Sequence, residues 1–195
     1  MAAFTQKAIK TSFLKLLEER PLSRITVKDI VADCGINRNT FYYHYEDIPA
    51  LVLEIFKDNT DEILKQYPTF DSFDRCVEAA AQHAMRNRRI VMHIYHSINR
   101  DLYEQFLWQI SEYAVRRYVD SACEDRRVSP EDREVIVRYY KCECFGIVTD
   151  WLEKGMQEDS LRYFRGIFAF KRDLAEELIR RCEAACDSGG YLSRP

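Results

Sequence analysis

Residues 26–45 read Thr26-Val-Lys-Asp-Ile-Val-Ala-Asp-Cys-Gly-Ile-Asn-Arg-Asn-Thr-Phe-Tyr-Tyr-His-Tyr45, two short helical patterns that meet at one glycine. Thr26 supplies an N-cap hydroxyl, Asp29 puts an acid in the first turn, and Val27, Ile30 and Val31 recur at helical spacing. Gly35 falls where the chain must leave that helix with positive φ, which a residue without Cβ does cheaply. Ile36 then fills the corner, and Asn37 caps a second helix predicted from about Arg38 to His44. Phe41 packs inward on that helix, which leaves Arg38, Asn39, Thr40, Tyr42, Tyr43 and His44 outward. Two short helices joined by a tight glycine turn form a helix-turn-helix unit, whose second helix enters the DNA major groove. The outward groups suit that task. A guanidinium pairs bidentately with guanine, so Arg38 leads for base-edge contact, with Asn39 and Thr40 reaching bases or sugar. Tyr42, Tyr43 and His44 hold phosphates with their polar tips, and Thr26 does so at its helix start.

Outward from this stretch the chain reads as helix nearly throughout, which predicts an all-α fold. Thr5 to Glu19 carries Ala8, Ile9, Phe13, Leu16 and Leu17 on one face, and Pro21 stops it. With the two helices that follow, it makes a three-helix DNA-binding domain over residues 1–48, and a larger helical domain occupies 49–195. Pro49 to about Gln66 is a longer amphipathic helix, broken at Tyr67-Pro68-Thr69. Further helices are expected over about 70–86, 88–98 and 100–123. Ser129-Pro-Glu-Asp starts another, running to about Lys154 with Gly155 at its end. Residues 160–170 read equally as helix or partial loop. A last helix closes near Cys186, before a frayed tail.

Composition narrows the function class. No apolar run approaches the ~20 residues of a membrane span, and the N-terminus lacks a signal peptide's apolar region, so no membrane partner is expected. Residues 1–47 hold seven Lys/Arg and six Asp/Glu, leaving 22 and 26 for the rest. DNA binding must therefore rest on placed groups and helix N-termini rather than on a basic field. Seven cysteines scattered through helical patterns predict reduced, packed thiols in a cytoplasmic protein. His93 and His96 are neighbours at i,i+3, but no carboxylate or thiol at ligand spacing completes a metal site. No nucleophile–base arrangement, phosphate-cradling glycine loop or paired carboxylate stands out, so neither an enzyme nor a cofactor is expected.

The pattern Thr-Val-x-x-Ile-x-x-x-x-Gly-Ile-x-Arg-x-Thr-Phe-Tyr-x-His-Tyr resembles the signature of the TetR family of bacterial transcriptional regulators, over about Phe4 to Phe56. Beyond it, Trp151-Leu-Glu-Lys-Gly155 is similar to a run often met late in that family. The resemblance implies a ligand-responsive homodimeric repressor that binds a double-stranded DNA operator. An activator or co-activator acting through a protein partner is the alternative. One departure stands out: the family usually carries a phosphate-gripping lysine near Ile48, where this chain reads Glu46-Asp47-Ile48-Pro49. Amides at the following helix start remain as candidate anion donors.

The resemblance also assigns the second domain to regulation and dimerisation. Val135, Tyr139, Tyr140, Cys144, Ile147, Val148 and Trp151 form an apolar stripe. The family builds its dimer from the last two helices of each protomer, which nominates Tyr140, Cys144, Ile147, Val148 and Trp151 as interface. Intramolecular core is the competing account of the same stripe. A small-molecule effector is implied in this domain as well. Met92, His96, Tyr103, Phe106, Trp108 and Tyr139 offer the aromatic walls and polar tips that a pocket between helices needs, though ordinary packing claims such residues too.

Overall fold

The computed structural model describes residues 2–67, 73–97, 100–171 and 173–186. It is all-α, with no strand among the described residues. The helices are α1 (Ala2–Glu19), α2 (Val27–Cys34), α3 (Arg38–His44), α4 (Ile48–Gln66), α5 (Phe73–Arg86), α6 (Arg88–Tyr95), α7 (Arg100–Ala122), α8 (Pro130–Glu153), α9 (Ser160–Phe170) and α10 (Leu174–Cys186). A single 3₁₀ turn, Leu22–Arg24, joins α1 to α2. The stretch 160–170, ambiguous from its sequence, is helical. The expected break at Pro68-Thr69 and the tail beyond Cys186 lie outside the described residues. No described helix is long and apolar enough to cross a membrane.

The chain divides into two compact units. One comprises Met1–Asn59 with Ala84–Phe106, and the other Thr60–His83 with Leu107–Pro195. The boundary falls inside α4, between Asn59 and Thr60.

The first unit has one core, made by Ile9, Phe13 and Leu17 of α1, Ile30 of α2, Phe41 of α3, Leu51 and Val52 of α4, and Ile94 of α6, all buried. Polar contacts fix the register of the pieces. The Ser12 hydroxyl donates to the Ile30 carbonyl at 3.2 Å inside the α1–α2 contact. His93 Nδ1 lies 2.7 Å from the Leu17 carbonyl, which only accepts, so that ring nitrogen carries the proton and ties α6 to α1.

The second unit is built round Val115, Val119 and Cys123 of α7, Ile136, Val137 and Tyr140 of α8, and Ile179 and Cys182 of α10. Helix α8 starts as its sequence predicts: the Ser129 hydroxyl accepts from the Asp132 amide at 3.0 Å, with Pro130 in the first turn. It ends in two left-handed residues, Gly155 at φ 70 and Met156 at φ 56. The Met156 amide donates back to the Trp151 carbonyl at 2.8 Å. Met156 is 1% exposed, so apolar burial offsets the strain of a side chain in that conformation. All seven cysteines are free. Burial first, then the Glu143 carboxylate, push the Cys144 thiol up to about 12, and burial likewise raises Cys34, Cys76, Cys123 and Cys182. These thiols therefore stay protonated at neutral pH.

Two carboxylates make the first unit acid-sensitive. Hydrogen bonds from the Thr26 hydroxyl and amide hold Asp29 below its ordinary 3.8, and the Lys15 ammonium does the same for Asp33. A group whose folded pKa is depressed adds stability above its unfolded value and loses it as pH falls through the folded one. Circular-dichroism melts should thus give a flat midpoint from neutrality to about pH 5 and a falling one below about pH 4. A midpoint that rose across the acid range would contradict these two assignments.

Candidate nucleic-acid interface

Helix α2 is closed at its start by a capping box. The Thr26 hydroxyl accepts from the Asp29 amide at 3.3 Å, while Asp29 Oδ2 accepts from the Thr26 amide at 2.9 Å. The same hydroxyl donates to Asp29 Oδ2 at 2.7 Å, so its proton is already directed inward. Gly35 ends the helix at φ 69, and the amides of Gly35 and Ile36 both return to the Val31 carbonyl, turning the chain sharply into α3. The backbone needs a left-handed residue here, which is why glycine stands at the corner.

Asn37 caps α3: its Oδ1 accepts from the Thr40 amide at 2.8 Å and from the Thr40 hydroxyl at 3.0 Å. Phe41 is 0% exposed and Tyr45 3%, their ring centroids 5.7 Å apart, so the inner side of α3 is pinned to the core. Thr40 and His44 are half-buried, and the other four residues of this seven-residue helix are open to solvent. Arg38 and Asn39 are exposed, as are Tyr42 at 55% and Tyr43 at 82%, and half-buried His44 stacks edge-on to Tyr43. Of the residues expected at DNA, Arg38, Asn39, Tyr42 and Tyr43 thus share the open surface of α3. The Thr26 and Thr40 hydroxyls sit at the two helix starts with their protons engaged.

Two features escaped the sequence reading. Tyr45, the aromatic that closes the motif, donates its hydroxyl to Glu54 of α4 at 3.0 Å. Glu54 also meets the Lys10 ammonium of α1 at 2.6 Å, and Lys10 reaches Asp58 at 2.5 Å. Burial and then the Glu54 and Asp58 carboxylates hold the Tyr45 phenol well above its ordinary value, so it remains a donor. Burial alone would lower Lys10, but its hydrogen bonds to Asp58 and Glu54 outweigh that and raise it. One network therefore fastens the end of α3 to α1 and α4, through long-range partners that no local pattern announces. The second feature is Asp47, whose Oδ1 accepts the Ala50 amide at 2.7 Å and caps α4. Asp-Ile-Pro-Ala carries the cap-then-proline signal of a helix start and was readable as such. The amides expected to remain as anion donors there are thus partly occupied by the chain itself.

In the second unit, Tyr140 and Trp151 are each 4% exposed within a single chain. Tyr140 belongs to the core with α7 and α10, while Trp151 donates its indole N–H to the Gln157 carbonyl at 3.2 Å and packs edge-on to Phe164 of α9. The protomer's own core takes up both, because α7, α9 and α10 supply more apolar surface than the stripe alone suggests. Cys144, Ile147 and Val148 are half-buried, and Val135 and Tyr139 are exposed.

The expected pocket residues fall in both units. Half-buried Met92, exposed His96 and buried Phe106 belong to the first. Trp108, 38% exposed, and Tyr139, 48%, belong to the second; the side chain of Tyr103 lies outside the described residues. The Lys141 ammonium sits 4.0 Å over the Trp108 ring and pairs with Glu112, and Lys171 lies 5.4 Å from the Tyr139 centroid and pairs with Glu143.

A pair of capped helices, locked to one core and presenting a guanidinium, an amide and two phenols on one open face, is a helix-turn-helix reading head, the device of a DNA-binding regulator. Residues 14–55 match the model of bacterial regulatory proteins of the tetR family, and residues 71–170 match that of a transcriptional regulator C-terminal region. The chain belongs to the TetR family of transcriptional regulators. Among curated proteins no match was found. Solved structures with a similar fold include the dihydroxyacetone kinase operon activator DhaS, with 18% identity and a TM-score of 0.60 over 92% of this chain and 98% of that one. Salmonella enterica GusR follows with 14% identity and a TM-score of 0.53 over 90% of this chain and 95% of that one. At such identities the likeness is one of fold.

Proposed function

We propose that this regulator is a cytoplasmic homodimeric repressor that releases its operator when a small molecule binds. The observation that carries the DNA-reading part is the outer face of α3, where Arg38, Asn39, Tyr42 and Tyr43 stand exposed on a helix pinned from behind by Phe41 and Tyr45. A second copy supplies what one short helix lacks, since two heads span two half-sites about one helical turn, ~34–36 Å, apart. Half-buried Cys144, Ile147 and Val148 are the part of the α8 stripe left for that contact. Among the described residues expected to meet an effector, Trp108 and Tyr139 are exposed, each with a lysine over its ring. Such a ligand must favour one arrangement of the heads over the other, with a coupling of ~1–3 kcal/mol that acts equally in both directions.

The test selects a binding duplex from random sequence and then compares variants on it. Arg38→Ala is expected to cost about 1–3 kcal/mol and to relax preference at one base pair, whereas Tyr42→Phe weakens all sequences alike. Unchanged binding by both variants would remove α3 as the recognition helix. A second reading, an activator working through a protein partner, is favoured by the two carboxylates at the start of α4, which loosen the grip on DNA. The fold neighbour DhaS is an operon activator by name. Reporter output from the selected site, with and without the regulator, separates the two signs.

A further inference from the structure

We propose, on the reading of α3 as the recognition helix, that Asp47 with Glu46 beside it is a negative determinant of DNA binding, holding by its own carboxylate the helix start that a phosphate would occupy. Helix α3 ends at His44 and Tyr45 is its extended cap, so Asp47 follows three residues after the last helical one. That is at most ~10 Å of chain. If α3 is the helix seated in the major groove, Asp47 stays close to the flanking backbone, where charges act on one another over a screening length of ~8–10 Å.

A helix start ordinarily offers free amides to an anion. Here Pro49 has no N–H, the Ala50 amide donates to Asp47 Oδ1 at 2.7 Å, and the Leu51 amide donates to the Asp47 carbonyl at 3.3 Å. Only the amide of Ile48 remains of the first four. Glu46 and Asp47 are both exposed, and neither is ion-paired with a cation among the described residues. An approaching phosphate therefore meets two carboxylates with no ion-pair partner among the described residues, in place of a row of free N–H dipoles. Each carboxylate–phosphate pair at ~8 Å in water weakens binding roughly twofold, and several such pairs multiply.

Asp47→Asn isolates the charge, because asparagine and aspartate cap helices about equally well. On a mixed-sequence duplex at low salt the variant is expected to bind roughly three- to tenfold more tightly than the unmodified protein, the gap closing as salt is raised. Glu46→Gln, which touches no cap, should move affinity the same way by less. The thermal midpoint should stay unchanged in both. Equal or weaker binding by Asp47→Asn at an unchanged midpoint overturns the proposal. If that midpoint falls, Glu46→Gln decides, and unchanged affinity there overturns it equally. Should neither the unmodified protein nor the variants bind any duplex, the reading head itself falls and this role of Asp47 with it, whereas equal binding by all strikes Asp47 alone.

Discussion

Phe41→Ala is expected to cost about 3–5 kcal/mol and to abolish operator binding although Phe41 touches no DNA. The side chain is 0% exposed, in edge contact with Tyr42 at 5.6 Å and tilted against Tyr45 at 5.7 Å. It is the central inward anchor of a helix of only seven residues, too short to hold its conformation without packing. Truncation leaves a cavity in the core that Phe41 shares with Ile30 and Leu51, and the loss is a large fraction of the ~5–15 kcal/mol that stabilises a typical domain. Urea unfolding followed by circular dichroism measures the cost, and a duplex titration measures the consequence. The informative comparison is with Arg38→Ala, which should bind poorly at an unchanged urea midpoint. A Phe41→Ala protein with wild-type stability would mean that α3 is not anchored through this ring.

How much of this was legible beforehand depends on whether the signal is local. The Thr26 cap, the Gly35 corner and the Asn37 cap each depend on a residue type and a backbone angle within four positions, and all three occur where the sequence places them. Ser129 and Pro130 announce α8 for the same reason. The Tyr45–Glu54–Lys10–Asp58 network joins residues up to 48 positions apart, and no periodicity encodes such a pairing. Helix α9 resisted because Tyr163 and Phe170 are 75% and 93% exposed while Phe164 is buried, so its apolar residues, among those described, do not form one inward stripe. In α8 the limit is different. Helical spacing says which residues avoid water, but it is silent on whether the cover comes from the same chain or from another.

Trp151→Glu and Ile147→Glu are therefore expected to fail in different ways, and the difference tests the proposed dimer. Trp151 is 4% exposed, bonded to the Gln157 carbonyl and packed edge-on to Phe164 within its own chain. A glutamate there loses the packing of a large aromatic, about 3–5 kcal/mol, and adds a desolvated charge with no partner. That variant should lose helical signal or melt far below the parent, whatever its assembly state. Ile147 stands one turn earlier and is only half-buried. A glutamate at this position can turn its carboxylate to water in a monomer, yet it would be trapped and unpaired inside a dimer interface. Ile147→Glu is thus expected to keep its helical content, to sediment as a monomer where the parent sediments as a dimer, and to bind the selected duplex at least tenfold more weakly, about 1.4 kcal/mol or more, through loss of the second head. Sedimentation of the unmodified protein as a monomer at micromolar concentration would end the dimer proposal. If instead Ile147→Glu unfolded as Trp151→Glu does, this end of the stripe would be core, and the partner surface would have to be sought at its exposed members, Val135 and Tyr139.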